Sequence, residues 1–174
     1  MKLLEQVQIA PIMTGNVLDV RNQTRTGDYV NFANFQRCLI LVSFADGQAD
    51  DDVRLTVEQA TTAAGAGAKA LDALQTGRIY EKLGATDLTA VGQWTKVTQG
   101  TADEVYVNTD SGEQAGMYAL EIEASDLDLA NGFNWIRCDI TGDANNAAKL
   151  ADGVYIMYEP AHKAAPESML SVIA

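Results

Sequence analysis

The chain is predicted to be all-β, a single antiparallel sandwich or jelly-roll-like domain with little helix. Three features predict this. Apolar residues alternate with polar ones at period 2 in several short runs. Clusters of Gly, Asn and Asp separate those runs. No long segment repeats its apolar residues at helical spacing. The 174 residues are 47% hydrophobic, enough for one core and short of two. A chain of this size buries roughly 70% of its unfolded surface, so it needs no disulfide or metal staple.

The strands are expected in this order. Glu5–Met13 and Tyr29–Phe32 come first. The run Cys38–Phe44, CLILVSF, is apolar at both parities and reads as a central strand covered on both sides. Val53, Leu55 and Val57 alternate with Arg54, Thr56 and Glu58, giving a strand with one wet face. Arg78–Leu83, Trp94–Thr98 and Glu104–Asn108 follow. Tyr118, Leu120 and Ile122 alternate with Ala119, Glu121 and Glu123, and Ile136, Cys138 and Ile140 with Trp135, Arg137 and Asp139. Val154–Tyr158 is the last. The turns are TGN at 14–16, ADGQADDD at 45–52, NTDSGEQAG at 108–116, ANG at 130–132, TGDANN at 141–146 and ADG at 151–153. These residues supply positive φ or cap the backbone with their side chains.

Thr61–Leu74 is expected to be a loop, with at most a short turn of helix near Lys69–Leu74 and at most another at Asn145–Ala151. Gly65 and Gly67 weaken the first, each by about 1 kcal/mol relative to Ala. No Pro/Ser-rich linker divides the chain, so residues 1–174 read as one domain. Residues 1–13 and 160–174 read as extended docking arms.

Twenty-four acidic residues face twelve basic ones, for a net charge of -12 and a pI near 4.3. Nucleic-acid binding needs a basic stripe that displaces counterions from phosphates, so this balance argues against it. It also argues against peripheral attachment to anionic membranes. The charge is uneven. Lys2, Arg21, Arg25 and Arg37 against Glu5, Asp19 and Asp28 give the first 45 residues a net of +1, leaving -13 on the rest.

Met1–Met13 is interrupted by Glu5, Gln6 and Gln8 and does not read as a signal peptide. No window has the ~18 apolar residues of a spanning helix. Asn22-Gln-Thr24 matches the glycosylation pattern, which without a secretion signal is read as chance.

The candidate chemistry is sparse. Cys38 and Cys138 lie in apolar strand contexts and read as small buried hydrophobes. A disulfide between them would require matching Cα positions. No Cys/His pairing suggests zinc. Asp46, Asp50, Asp51 and Asp52 lack the ligand offsets of a calcium loop and read as a solvated hairpin loop. Gly65-Ala-Gly67-Ala-Lys69-Ala70 fits a loose dinucleotide fingerprint without the long helix that would meet a pyrophosphate. His162 stands alone, and Glu121 with Glu123 reads as a wet strand face. Trp94, Trp135, Tyr80, Tyr106, Tyr118, Tyr155 and Tyr158 could supply a sugar-stacking platform, though such aromatics more often fill cores. These patterns nominate no catalytic residue, cofactor site or metal ligand.

The chain ends Met169-Leu170-Ser-Val172-Ile173-Ala174 after Pro160 and Pro166. An apolar tail is expected to cover its own sheet or a neighbouring subunit.

A set of motifs carries a resemblance. Phe35-Gln-Arg37-Cys38-Leu39 runs through Phe44-Ala-Asp46-Gly47. Leu55-Thr-Val57-Glu58-Gln59-Ala60 leads to Gly67-Ala-Lys69-Ala70-Leu71. Ala124-Ser-Asp126-Leu127-Asp128-Leu129-Ala130-Asn131-Gly132-Phe133 precedes Ile136-Arg137-Cys138-Asp139-Ile140. Over residues 29–160 this order resembles a family of structural proteins of tailed bacteriophages, the head decoration or cement proteins. The resemblance implies a non-enzymatic virion protein, made in the bacterial cytoplasm, that sits on the outer capsid surface. Its implied partners are the major capsid protein and copies of itself, as a homotrimer. No catalytic residue comes with the resemblance.

The terminal segments are apolar and unpunctuated by turns, which makes Leu3, Leu4, Val7, Ile9, Met169, Leu170, Val172 and Ile173 the expected contact residues. A glycan-binding sandwich is the alternative from another class. A neck or tail component of the virion is the alternative within the same class.

Overall fold

The computed structural model describes residues 3–13, 18–84, 93–143, 148–162 and 171–173. The expected turn at 14–16, residues 145–147 of the expected helical turn at 145–151, and Met169 and Leu170 lie outside them. Among the described residues the elements are almost entirely antiparallel strands. They are β1 (Val7–Pro11), β2 (Leu18–Asp19), β3 (Thr24–Arg25), β4 (Val30–Asn31), β5 (Phe35–Phe44), β6 (Val53–Ala60) and β7 (Lys69–Ala70). Then come β8 (Ile79–Leu83), β9 (Thr95–Lys96), β10 (Val105–Val107), β11 (Gly116–Glu123), β12 (Trp135–Gly142) and β13 (Leu150–Pro160). Short 3-10 turns sit at Leu3–Glu5, Ala124–Asp126 and Leu129–Asn131.

Two sheets pack face to face. The larger has the order β1-β13-β5-β11-β8-β9, with β2 also on β13. The smaller has the order β10-β6-β12-β3, with β4 on β12 and β7 on β6. The long strands β5, β6, β11, β12 and β13 switch sheets at every step of the chain. That connectivity forces both sheets to share one core. Cys38, Ile40, Val42, Leu120, Ile122, Tyr155 and Met157 enter it from the larger sheet. Val53, Leu55, Val57, Ile136, Cys138 and Ile140 enter from the smaller. The period-2 runs are the cause, because each strand gives alternate side chains to the interior. Deleting one of these buried aliphatic side chains to Ala costs about 2–5 kcal/mol.

Three expectations need correction. β5 is central in its sheet but only one face is fully covered. Ile40 and Val42 are buried, whereas Leu39 and Leu41 on the other parity remain half-buried. The expected loop at Thr61–Leu74 contains a short strand, Lys69–Ala70. The chain reverses through Gly65 and Gly67, both at positive φ, and Lys69 and Ala70 pair with Gln59 and Glu58. Leu150 and Ala151, expected in a helical turn, begin β13. Apolar small residues at 61–74 misled because hairpin pairing is a tertiary contact that overrides local propensity.

Candidate functional site

The two outer faces of the sandwich differ in chemistry. On the smaller sheet, Arg137 lies opposite Glu58 and beside Asp139. Its guanidinium reaches Glu58 at 2.7 Å and Asp139 at 2.9 Å. Tyr29 stacks beneath it with 5.0 Å between the guanidinium and the ring centroid. Arg54 pairs with Asp143 at 2.7 Å, and Thr24 hydrogen-bonds Thr141 at 2.9 Å. This face is polar, and much of its charge is compensated within the chain.

The larger sheet presents an apolar surface. Its register aligns Pro11, Val154, Leu41, Ala119 and Tyr80 across five strands. The next row aligns Ile9, Ile156 and Leu39. Leu39, Leu41, Val154 and Ile156 are half-buried, and Ile9 is 50% exposed. An open groove floored by Phe44, Met117 and Leu150 lies at one end of these rows. At the other end a second groove is bordered by Leu3, Val7, Tyr158 and Pro160.

An ionic corner interrupts this surface. Arg37 Nη1 lies 2.9 Å from Glu121, Nη2 lies 3.0 Å from Glu123, and Nε lies 3.3 Å from Glu159. Arg78 meets Glu123 at 3.2 Å and Asp126 at 3.3 Å. Tyr158 donates its hydroxyl proton to Glu121. Glu121 and Glu123 are therefore tied to arginines rather than poised as an acid/base pair. Exposed pairs of this kind contribute little stability each, and as a network they fix side-chain positions.

The expected contact residues separate into two sets. Leu3 and Leu4 are 68% and 54% exposed and stand with Ile9 at the β1 end of the apolar surface. Val7 is buried against the chain itself, although it shares the parity of Ile9. Val172 is also buried, and its carbonyl accepts the Asn31 N–H at 2.9 Å. Ile173 packs against the core. The described part of the tail thus covers its own body. The half-buried outer residues of β5 and β13 were missed as contact candidates. Their signal was present in CLILVSF and VYIMY, which are apolar at both parities.

The acidic loop is less solvated than expected. Asp51 and Asp52 are buried. Asp52 accepts the Gly112 N–H at 2.9 Å, and Asp51 accepts the Gln48 N–H at 3.2 Å. Lys149, fully buried, supplies the nearby cation. Among the described residues no group of His, Cys, Asp and Glu is arranged to hold a metal ion.

Cys38 and Cys138 are free and buried, and burial pushes both thiols well above their ordinary range. His162 is exposed. Of the aromatics proposed for sugar stacking, Tyr106, Tyr118 and Tyr155 belong to the core. Trp94 is 42% exposed, but Lys82 Nζ covers its ring at 4.8 Å. No described helix is long and apolar enough to cross a membrane.

Fold and surface together define a class, an all-β sandwich with one apolar and one charged outer face. No protein-family model matches the chain, and no curated protein matches it.

Proposed function

We propose that this chain is a non-enzymatic structural protein of a tailed-phage virion. It decorates the capsid shell, binds the major capsid protein and self-associates as a homotrimer on the outer surface. The reading draws on the motif resemblance over residues 29–160. The structural observation that supports it is the asymmetry of the two outer faces. A sheet face carrying Leu39, Leu41, Val154 and Ile156 gains from being covered, at about 25 cal/mol per Å² of apolar surface. The charged face of the smaller sheet suits solvent. A decoration protein repeats a modest contact many times over a symmetric shell, so avidity replaces one large patch.

Co-sedimentation with shells of the encoding phage or prophage, stripped of this chain, tests the proposal. Wild-type protein is expected to saturate at a stoichiometry set by shell symmetry. Leu39→Asp and Ile156→Asp are expected to lose binding while keeping the wild-type far-UV spectrum. Shells that never bind wild-type protein, or binding indifferent to both substitutions, would overturn it.

A further inference from the structure

We infer that the free edge of β1 pairs two copies of this chain, antiparallel across a two-fold axis centred on Ile9. β1 ends the larger sheet, and among the described residues no strand pairs with its outer side. The Ile12 N–H donates inward, to the Gly153 carbonyl at 2.9 Å. Antiparallel alternation then turns the backbone groups of Gln8 and Ala10 toward β13, and those of Val7, Ile9 and Pro11 outward. Another extended strand is what complements such a row of donors and acceptors. Pro11 occupies an outward position, where its missing N–H costs no bond to β13.

Pro11 also selects the register. With Ile9 opposite its own copy, the Ile9 N–H and C=O of each chain bond those of the other. The Val7 N–H of each chain then meets the Pro11 carbonyl of the second copy. That carbonyl is available, and the donor Pro11 lacks is needed only at the outer end of the ladder.

Three observations favour a second copy over another protein. First, Val7, Ile9 and Pro11 share the outer face of the sheet, and both Ile9 and Pro11 are exposed. In this register Pro11 of the second copy stands beside Val7. There the groove of 490 Å³ bordered by Leu3, Val7, Tyr158 and Pro160 opens. Projection and groove belong to one chain and meet through the two-fold, as an isologous contact requires. Second, no charged residue occurs between Glu5 and Asp19. Two chains of net charge -12 therefore meet along a stretch that adds no like-charge contact of its own. Third, pairing sets Ile9 against Ile9 and extends the apolar row of Ile156 and Leu39 across both copies. The contact is separate from capsid attachment and does not rest on that reading.

Analytical ultracentrifugation of the full chain over a concentration series tests the inference, with amide hydrogen exchange followed at Ile9. Wild-type protein is expected to associate reversibly, its monomers or homotrimers pairing two by two into species of even copy number as concentration rises. Exchange at Ile9 is expected to slow as concentration rises. Ile9→Pro removes the outward donor and leaves the inward bonds of Gln8 and Ala10. Ile9→Lys places a charge at the axis. Both are expected to weaken association at least tenfold with unchanged thermal midpoints, and Ile9→Val to retain it. If Ile9→Pro fails to fold, Ile9→Lys and the exchange measurement decide the matter. A chain monomeric at every concentration, or association that survives Ile9→Lys, would overturn the inference. A trimer insensitive to both substitutions would overturn it while leaving capsid decoration standing. Failure to bind shells would leave the two-fold contact standing.

Discussion

Lys149 Nζ lies 2.6 Å from the Ser111 carbonyl oxygen, inside the protein. The same ammonium reaches the Gly112 carbonyl at 3.1 Å and the Gln114 carbonyl at 3.4 Å, and stands 5.2 Å from the centre of the Phe44 ring. Burial lowers the Lys149 pKa, and the negative field of Asp46, Asp51, Asp52 and Glu113 opposes that shift. The lysine thus clasps the 108–116 loop to the acidic loop at one end of the sandwich.

Lys149→Met keeps the aliphatic stem and removes the cation. Three carbonyls then lose a donor, and the acidic loop loses a positive charge that its carboxylates face. A loss of about 3 kcal/mol is expected, because breaking a buried charged contact exposes the desolvation penalty of what remains. Urea unfolding at pH 7 checks this. A midpoint within error of wild type would show that the clasp contributes nothing. Lys149→Arg is not expected to rescue, since a planar fork cannot replace a compact ammonium among converging carbonyls.

The second prediction concerns Tyr155 and Cys138. β12 is paired on one side by β6 along its whole length, but on the other only at its ends, by β3 and β4. Cys138 falls in the gap. Its N–H donates to the Tyr155 hydroxyl at 2.7 Å, through the core from the opposite sheet. Gly27 crosses the gap so closely that a Cβ there would stand 2.2 Å from the Cys138 carbonyl oxygen. Tyr155→Phe is expected to cost about 2 kcal/mol by leaving a buried N–H unpaired. Gly27→Ala is expected to cost about 3 kcal/mol, since backbone rather than a flexible side chain must move. Denaturant titration and amide exchange at Cys138 check both, with faster exchange expected in Tyr155→Phe.

The third concerns pH. Burial raises the pKa of Asp139 against the Gly27 N–H and Arg137, and burial likewise raises Asp52 against the Gly112 N–H. A carboxyl whose folded pKa is raised takes up its proton in the native state first. Acidification from neutral pH toward the ordinary aspartate value of 3.8 is therefore expected to stabilise the fold. Asp19 and Asp128 behave oppositely. The Arg21 backbone N–H holds the first below its ordinary value, and Lys69 holds the second. Their contribution is present above 3.8 and is lost as pH falls further. Stability should pass through a maximum on the acid side of neutrality. Relief of the -12 net charge acts with the same sign. Asp139→Asn separates the two effects, and a pH profile unchanged by that substitution would exclude Asp139 as a source.

Much of the core was readable from local pattern. In Val53–Val57, Tyr118–Ile122 and Ile136–Ile140 the apolar parity identified in the sequence is the parity that points inward. Alternation is a property of neighbouring residues, so a short window carries it. The two-residue strands at Leu18–Asp19, Thr24–Arg25 and Lys69–Ala70 were not readable. They exist because a partner strand lies beside them, and nothing in two residues encodes that partner.

The same division holds for the surface. Leu3, Leu4 and Ile9 were nominated from apolar content alone, and all three are exposed. Val7 and Val172 carry the same local signal and are consumed by the chain's own packing. CLILVSF is apolar at both parities, which sequence reads as burial on both sides. The structure covers one side and leaves Leu39 and Leu41 on a sheet face that the described residues do not cover.

By itself the sequence determined an acidic all-β chain, the main strands and the side chains they turn inward. Those follow from composition and from a period of two, both local quantities. Tertiary structure decided the rest: that Lys149 is an internal clasp, that the described tail residues serve their own fold, and that one outer face is apolar. Each depends on which distant segment arrives alongside, and that is settled by pairing register and sheet packing across the whole chain.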